Sequence, residues 1–221
     1  EISACLVGSE MCIRDRDREI RSEDEANQRK SMIMEPYLKE FEKGDLEKFR
    51  KLYEDAFPLC ERKPVALIFR LNDKHDGELL GIYREAAFCG FVFCVTDEKY
   101  VLLDYIAVAE EERGRSTGGK ILHQLNEMYR GKSVFVEIEV EDDSKENAEQ
   151  RRRRKNFYLR NGFKETGIVV NVYDVEMELL TAGEKISYKE YCSIFRKGGG
   201  GSGEVRMPVL ISERAEGEKT E

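Results

Sequence analysis

There is no tryptophan in this chain, only two histidines and four prolines, and no pair among its six cysteines has CxxC spacing. Each shortage narrows the field. Cys5, Cys12, Cys60, Cys89, Cys94 and Cys192, with His75 and His123, do not assemble the ligand spacing of a zinc module, so no metal is expected. Cys89 and Cys94 lie in an apolar run, where a thiol behaves as a small hydrophobe, and this usage fits a reducing, cytoplasmic setting. No apolar run approaches the ~20 residues of a membrane helix, and no membrane partner is expected. Positive charge is short as well. Against 45 Asp and Glu stand 37 Lys and Arg, and the net charge of −8 disfavours nucleic acid while suiting a cationic amine.

What is present suffices for a core: 40% of the 221 residues are hydrophobic, enough for one medium domain under a charged surface. The ends look unlike the middle. Residues 1–16, EISACLVGSEMCIRDR, lack the charge-then-apolar order of a signal peptide and resemble translated sequencing-adaptor read-through. A disordered or artefactual extension is expected over 1–34. At the other end GGGGSG is a flexible linker, and 198–221 reads as linker and disordered tail, with MPVLI at 207–211 its only apolar piece. The folded domain is expected over 35–197.

Within it, Tyr37–Phe41 alternates like a short strand, and Asp45 stands where it would cap a helix that Pro58 ends. A second helix follows Pro64. Glu78–Arg84, Ala87–Val95 and Tyr100–Val108 are strand-like and closely spaced, which requires antiparallel neighbours. Gly118–Arg130 has helical periodicity and Ser133–Val140 alternates strictly, so these two segments complete a βαβ crossover with parallel strands. A polar helix over Ala148–Arg160 ends at Asn161-Gly162; Phe163–Glu165 and Ile168–Glu178 read as two strands, and Ser187–Arg196 as a last helix. The predicted fold is α/β with a mixed sheet, in the order β-α-α-β-β-β-α-β-α-β-β.

The chemistry concentrates in AEEERGRSTGGK, a Gly-rich turn leading into a helix. Unpaired N–H groups and the helix dipole at such a start favour phosphate. Gly114–Lys120 matches G-x-x-x-x-G-K, yet Ile121 stands where a nucleotide P-loop needs Ser or Thr for magnesium. Together with YIAV before it and NFYLRNGF after it, the turn resembles the GNAT N-acetyltransferases. Their signature joins such a strand end, an R/Q-x-x-G-x-G/A turn and a later Tyr-x-x-x-Gly-Phe segment. EQRRRRKNFYLRNGF and VFVEIEV are similar to bacterial members of that family. Ser116 departs from the pattern, standing where the first glycine is usual; a positive φ there would carry strain.

The resemblance implies a splayed parallel strand pair that admits the pantetheine arm of acetyl-CoA, as an added strand would. Ile106, Ala107 and Val108 would pair with it, and Arg113, Gly114, Arg115, Ser116, Thr117, Gly118 and Gly119 would take its pyrophosphate. An acceptor amine of a small molecule or amino-acid-like compound would then attack the thioester directly. Tyr158 matches the family tyrosine and is the candidate acid for the leaving thiolate, its alternative being an aromatic anchor beside Phe157. Glu137 and Glu139, on one face of their strand, are candidate bases, with Asp104 a third; all three also read as ordinary strand carboxylates. Leu102 stands where histone-type members carry a catalytic Glu. The five basic residues Arg151–Lys155 point around their helix and form no nucleic-acid stripe. A homodimer is one option, and the rival function is a catalytically weak acyl-CoA-binding sensor or interaction module.

Overall fold

Strands as apolar as YVLLDYIAV are stable only when covered on both sides, and helices lie on both faces of the sheet here. The computed structural model describes residues 35–199 and 206–213. Two units are separable, and of the smaller one only Glu35 and the connection Arg84–Ala87 are described. Glu85 and Ala86 in that connection have φ of 50° and 67°, the left-handed pair of a two-residue hairpin turn. The larger unit holds the elements that concern function. The expectation for residues 1–34 lies outside the described residues.

In chain order the elements are β1 (Tyr37–Glu40), α1 (Leu46–Ala56), α2 (Val65–Asp73), β2 (Gly77–Arg84), β3 (Ala87–Thr96) and β4 (Tyr100–Val108). There follow α3 (Thr117–Met128), β5 (Ser133–Glu139), α4 (Ala148–Arg160), β6 (Lys164–Val172), β7 (Val175–Thr181), α5 (Tyr188–Gly198) and β8 (Val209–Glu213). The sheet order is β1-β2-β3-β4-β5-β7-β6-β8, with β4 and β5 parallel and the other described pairings antiparallel. A mixed sheet with one central parallel pair is what the sequence predicts.

Two cores follow from the alternation of side chains. Phe49 and Tyr53 of α1, Ile68 and Leu71 of α2, and Tyr191 and Ile194 of α5 pack with Phe91, Phe93, Tyr105 and Phe135 on one face. Ile121, Leu122 and Leu125 of α3 and Tyr158 of α4 pack with Val92, Val101, Val134 and Ile138 on the other. The first core is dense in aromatic rings, among them the edge-on pair Tyr53 and Tyr105 at 5.1 Å.

Three local expectations differ from the structure. Asp45 occupies the N-cap of α1 without capping it; its carboxylate instead accepts from the Tyr83 hydroxyl at 3.1 Å and pairs with Lys48. The β6–β7 turn falls at Tyr173-Asp174, with φ of 50° and 70°, rather than at Thr166-Gly167. Gly167 is absorbed as an irregularity within β6, and a turn built without glycine leaves no sequence mark. Finally, part of the expected disordered tail is ordered. Val209–Glu213 pairs antiparallel with β6 as the edge strand β8, because VLIS supplies β-favouring residues to an open ladder.

Candidate active site

The parallel pair β4–β5 is joined at only three positions, Tyr100–Leu102 against Ser133–Phe135. Beyond these, β4 runs on to Val108 and β5 to Glu139 with no further mutual pairing among the described residues. β5 meanwhile stays bonded along its other edge to β7 from Phe135 to Glu139. A wedge therefore opens between Leu103–Val108 and Val136–Glu139, and backbone groups of β4 face into it without a strand partner.

A second irregularity sits at the mouth of this wedge. On the β3 side, Phe93 opposes Tyr105 and Cys94 opposes Leu103, so Asp104 is the extra residue of a β-bulge. One extra residue reverses the alternation. Tyr100 and Leu102 belong to the first core, and so do Tyr105 and Ala107, while Leu103, Ile106 and Val108 pack on the α3–α4 side.

On the first face the bulge meets the segment between α1 and α2. Lys63 Nζ lies 2.5 and 2.8 Å from the two carboxylate oxygens of Asp104. The Tyr105 hydroxyl donates to the Glu61 carbonyl at 2.7 Å and accepts from the Lys63 N–H at 3.0 Å. Tyr53 donates to the Lys63 carbonyl at 3.1 Å. Glu137 is the neighbouring carboxylate. Its Oε1 is shut from solvent with no hydrogen-bond partner, and the adjacent Tyr191 hydroxyl likewise lacks a well-formed one. Burial first, then the charge of Asp104, raise the Glu137 carboxyl to about 7, with Lys63 and Tyr191 opposing.

Glu139, two residues on, has a different setting. Arg151 Nη2 approaches one oxygen at 2.8 Å, Arg154 Nη1 the other at 3.2 Å, and Asn147 Nδ2 donates at 3.2 Å. Both of its oxygens are therefore engaged by α4. The rest of the basic run Arg151–Lys155 is also paired: Arg152 with Asp143 and Glu149, Arg153 with Glu149, and Lys155 with Glu165 and Glu178. They are committed within the fold, and His123 is an exposed residue of α3.

On the other face β4 leads through Glu110–Glu112 into the Gly-rich turn. Arg113, Gly114, Arg115 and Ser116 are exposed, Gly118 and Gly119 half-buried and Thr117 buried. Ser116 is the N-cap of α3 at φ 58°, ψ 15°, and its side chain does not cap the helix. The positive φ that glycine would take without strain is thus imposed on a serine. Gly114, at φ 76°, has open space around it. Gly118 and Gly119 serve helix packing. A Cβ on Gly118 would lie 3.1 Å from Phe157 Cζ, and one on Gly119 2.7 Å from Asn161 Oδ1, so their bareness lets α4 close on α3. Glu112 contacts the same turn: Thr117 donates to it at 3.4 Å and Arg115 lies 3.6 Å away. Arg113 folds back, its Nε 3.4 Å from the Val108 carbonyl.

Tyr158 projects from α4 into the second core between Phe157 and Phe163, ring centroids 5.2 Å from each. It is 7% exposed, and burial raises its hydroxyl to about 12, with Arg154 opposing. It is therefore protonated throughout the neutral range. Ile106, Val108 and Ile138 flank the same cluster, which puts Tyr158 on the α3–α4 side of the wedge and Glu137 on the opposite side. Lys63, Tyr53, Tyr105 and Tyr191 join the site without having been singled out in the sequence. The only trace they left was Asp104, a carboxylate in an apolar run that needs a cation from elsewhere.

The splayed parallel pair leads into a Gly-rich helix start. Residues 75–165 match the family model described as acetyltransferase (GNAT) domain. Among solved structures, one similar chain is a Bacteroides thetaiotaomicron protein ascribed to the GNAT acetyltransferases. It is 20% identical with a TM-score of 0.59, over 72% of this chain and 93% of that one. An aminoglycoside 6'-N-acetyltransferase complexed with coenzyme A is 14% identical with a TM-score of 0.53, over 68% and 99%. A mutant spermidine N-acetyltransferase of Vibrio cholerae is 15% identical with a TM-score of 0.51, over 66% and 92%. No curated protein matches the sequence significantly. No helix among the described residues is long and apolar enough to cross a membrane.

Proposed function

We propose that this chain is an acetyl-CoA-dependent N-acetyltransferase acting on the primary amine of a small or amino-acid-like acceptor. The observation that carries the reading is the wedge, in which β4 abandons β5 after Leu102 and ends at an exposed helix start. An extended amide-bearing arm fits beside an unpaired strand edge, and a pyrophosphate fits unpaired N–H groups at a helix N-terminus. When bound there, acetyl-CoA supplies an activated acetyl group as a thioester. Ile106, Ala107 and Val108 offer it backbone partners. Arg113, Gly114, Arg115, Ser116, Thr117, Gly118 and Gly119 line the anion site, and Arg115 and Thr117 exchange Glu112 for phosphate oxygens.

Acid and base then act from opposite faces. The acceptor nitrogen attacks the thioester carbonyl as Glu137 takes its proton, directly or through water. The carbon–sulfur bond breaks as the Tyr158 hydroxyl protonates the departing sulfur. Glu139, paired with Arg151 and Arg154, keeps α4 against β5. The competing reading is a silent acyl-CoA sensor, favoured by the strained Ser116 and by Glu112 at the anion site. Thermal-shift titration with acetyl-CoA, CoA and ATP, followed by thiol release over an amine panel, separates the possibilities. Stabilisation by ATP and not by CoA would refute both, and CoA binding without thiol release from any amine would leave the sensor.

A further inference from the structure

The segment between α1 and α2 is fastened on both sides of a residue that itself holds nothing. Tyr105 bonds the carbonyl of Glu61 and the N–H of Lys63, Tyr53 bonds the carbonyl of Lys63, and Lys63 is anchored on Asp104. Between them stands Arg62. Its Nε is shut from solvent with no partner, and its guanidinium makes no ion pair among the described residues. The titratable group that feels its charge is Tyr53, whose ring stands edge-on to Tyr105. Glu61, the adjacent carboxylate, faces Glu139 and Arg154 instead.

Nothing in the fold requires this arrangement. Arg62 is half-buried, and of its guanidinium it is Nε that is withdrawn from water without a partner, which costs stability. The same face carries the mirror deficit, the unpartnered Glu137 Oε1, which interacts with the Lys63–Asp104 pair. A cation without an ion pair in the segment that Lys63 ties to Asp104, and a carboxylate faced by Asp104, Lys63 and Tyr191, suit a ligand bearing an anion and an amine. Resting on the acetyltransferase reading, we propose that Arg62 binds the carboxylate of the acceptor, so that the amine acetylated belongs to a free amino acid or a close analogue. Tyr105, through the bulge at Asp104, positions Arg62 and makes no contact with substrate.

The test uses the full chain with acetyl-CoA and matched acceptors: the protein L-amino acids, their amides and the corresponding decarboxylated amines. A charge-assisted pair predicts that kcat/KM for the preferred acid exceeds that for its amide by about 10- to 100-fold. Arg62→Ala should collapse that ratio towards one, Arg62→Lys should keep part of it, and calorimetry should give acetyl-CoA affinity within about twofold of the parent chain. Should no amine be turned over, the CoA complex is the probe. An amino acid must then add to its thermal shift, and Arg62→Ala must abolish the addition. Equal rates on acid and amide, preference for the decarboxylated amine, or absence of any added shift overturns the proposal. So does a parallel loss of acetyl-CoA affinity in Arg62→Ala, which would give Arg62 to the phosphates of the carrier. Failure of the parent chain to bind acetyl-CoA would instead refute the acetyltransferase reading itself.

Discussion

Replacing Glu137 with Gln separates stability from catalysis, because the folded protein is expected to hold this carboxylate at a cost. Its carboxyl titrates at about 7 rather than its ordinary 4.5. The folded state therefore binds the proton more tightly than the unfolded chain. That contribution is fully present below 4.5, is lost as pH rises towards 7, and stays lost above. At pH 8 the ionised side chain costs about 3 kcal/mol, at about 1.4 kcal/mol per pH unit. Glu137→Gln removes the ionisation. Scanning fluorimetry from pH 4.5 to 8.5 should show the two proteins nearly equal at the acid end. The variant should pull ahead to a plateau above pH 7, worth roughly 6–12 °C for a domain of this size. Thiol release should move the other way. The parent's kcat/KM should rise through pH 7 as the base deprotonates, and the variant should lose about 100-fold or more. A stability gap independent of pH would refute the burial argument, and retained turnover would remove Glu137 as the base.

Three further substitutions test other parts of the site. Tyr158→Phe keeps the ring packing and should lower kcat about 100-fold while calorimetric acetyl-CoA affinity holds; a Kd that worsens as much as kcat falls would return Tyr158 to a packing role. Ser116→Gly relieves about 1–2 kcal/mol of left-handed strain against about 0.5–1 kcal/mol of added chain entropy, so the melting temperature should rise by roughly 1–4 °C; a fall would mean that the turn does not hold Ser116 at positive φ. Glu112→Gln should tighten acetyl-CoA by about fivefold in a binding titration, because a phosphate no longer displaces a carboxylate, while costing about 0.5 kcal/mol at the helix start. Unchanged or weaker affinity would show that the pyrophosphate sits elsewhere.

How much of this was legible depended on whether the information was local. The Gly-rich turn, the YIAV strand end and the helix ending at Asn161-Gly162 announce themselves in a few adjacent residues, and all three fall where the periodicity predicts. The parallel crossover follows from handedness and connection length. By contrast, Glu137 and Glu139 look alike in VFVEIEV. Only the approach of Arg151 and Arg154 from α4 on one side, and of the Lys63 segment on the other, tells them apart. Those partners are set by tertiary packing, which no spacing rule encodes. The hairpin at Tyr173-Asp174 and the bulge at Asp104 were hidden for a related reason, since neither uses the glycine that normally marks such backbone. Gly118 and Gly119 were visible but half explained: their closeness to Phe157 and Asn161 makes them helix-packing residues as well.

The bulge in β4 ties the two halves of the site to chain length rather than to residue identity. Upstream of Asp104 one parity of residues faces the α1–α2 side, and downstream the other parity does. Losing that one residue would trade the places of Tyr105 and Ile106, taking from the Arg62 segment the hydroxyl that fastens it and from the α3–α4 side its apolar edge. Substitutions in β4 are absorbed one at a time, but an insertion or deletion shifts every later side chain to the wrong face together. The segment carrying Glu61, Arg62 and Lys63 lies outside that reading frame. Lys63 is bound to the strand through Asp104. Among the described residues the side chains of Glu61 and Arg62 make no bond to β4 and can change singly without disturbing it, which on the proposed function makes them the place where acceptor preference is able to drift.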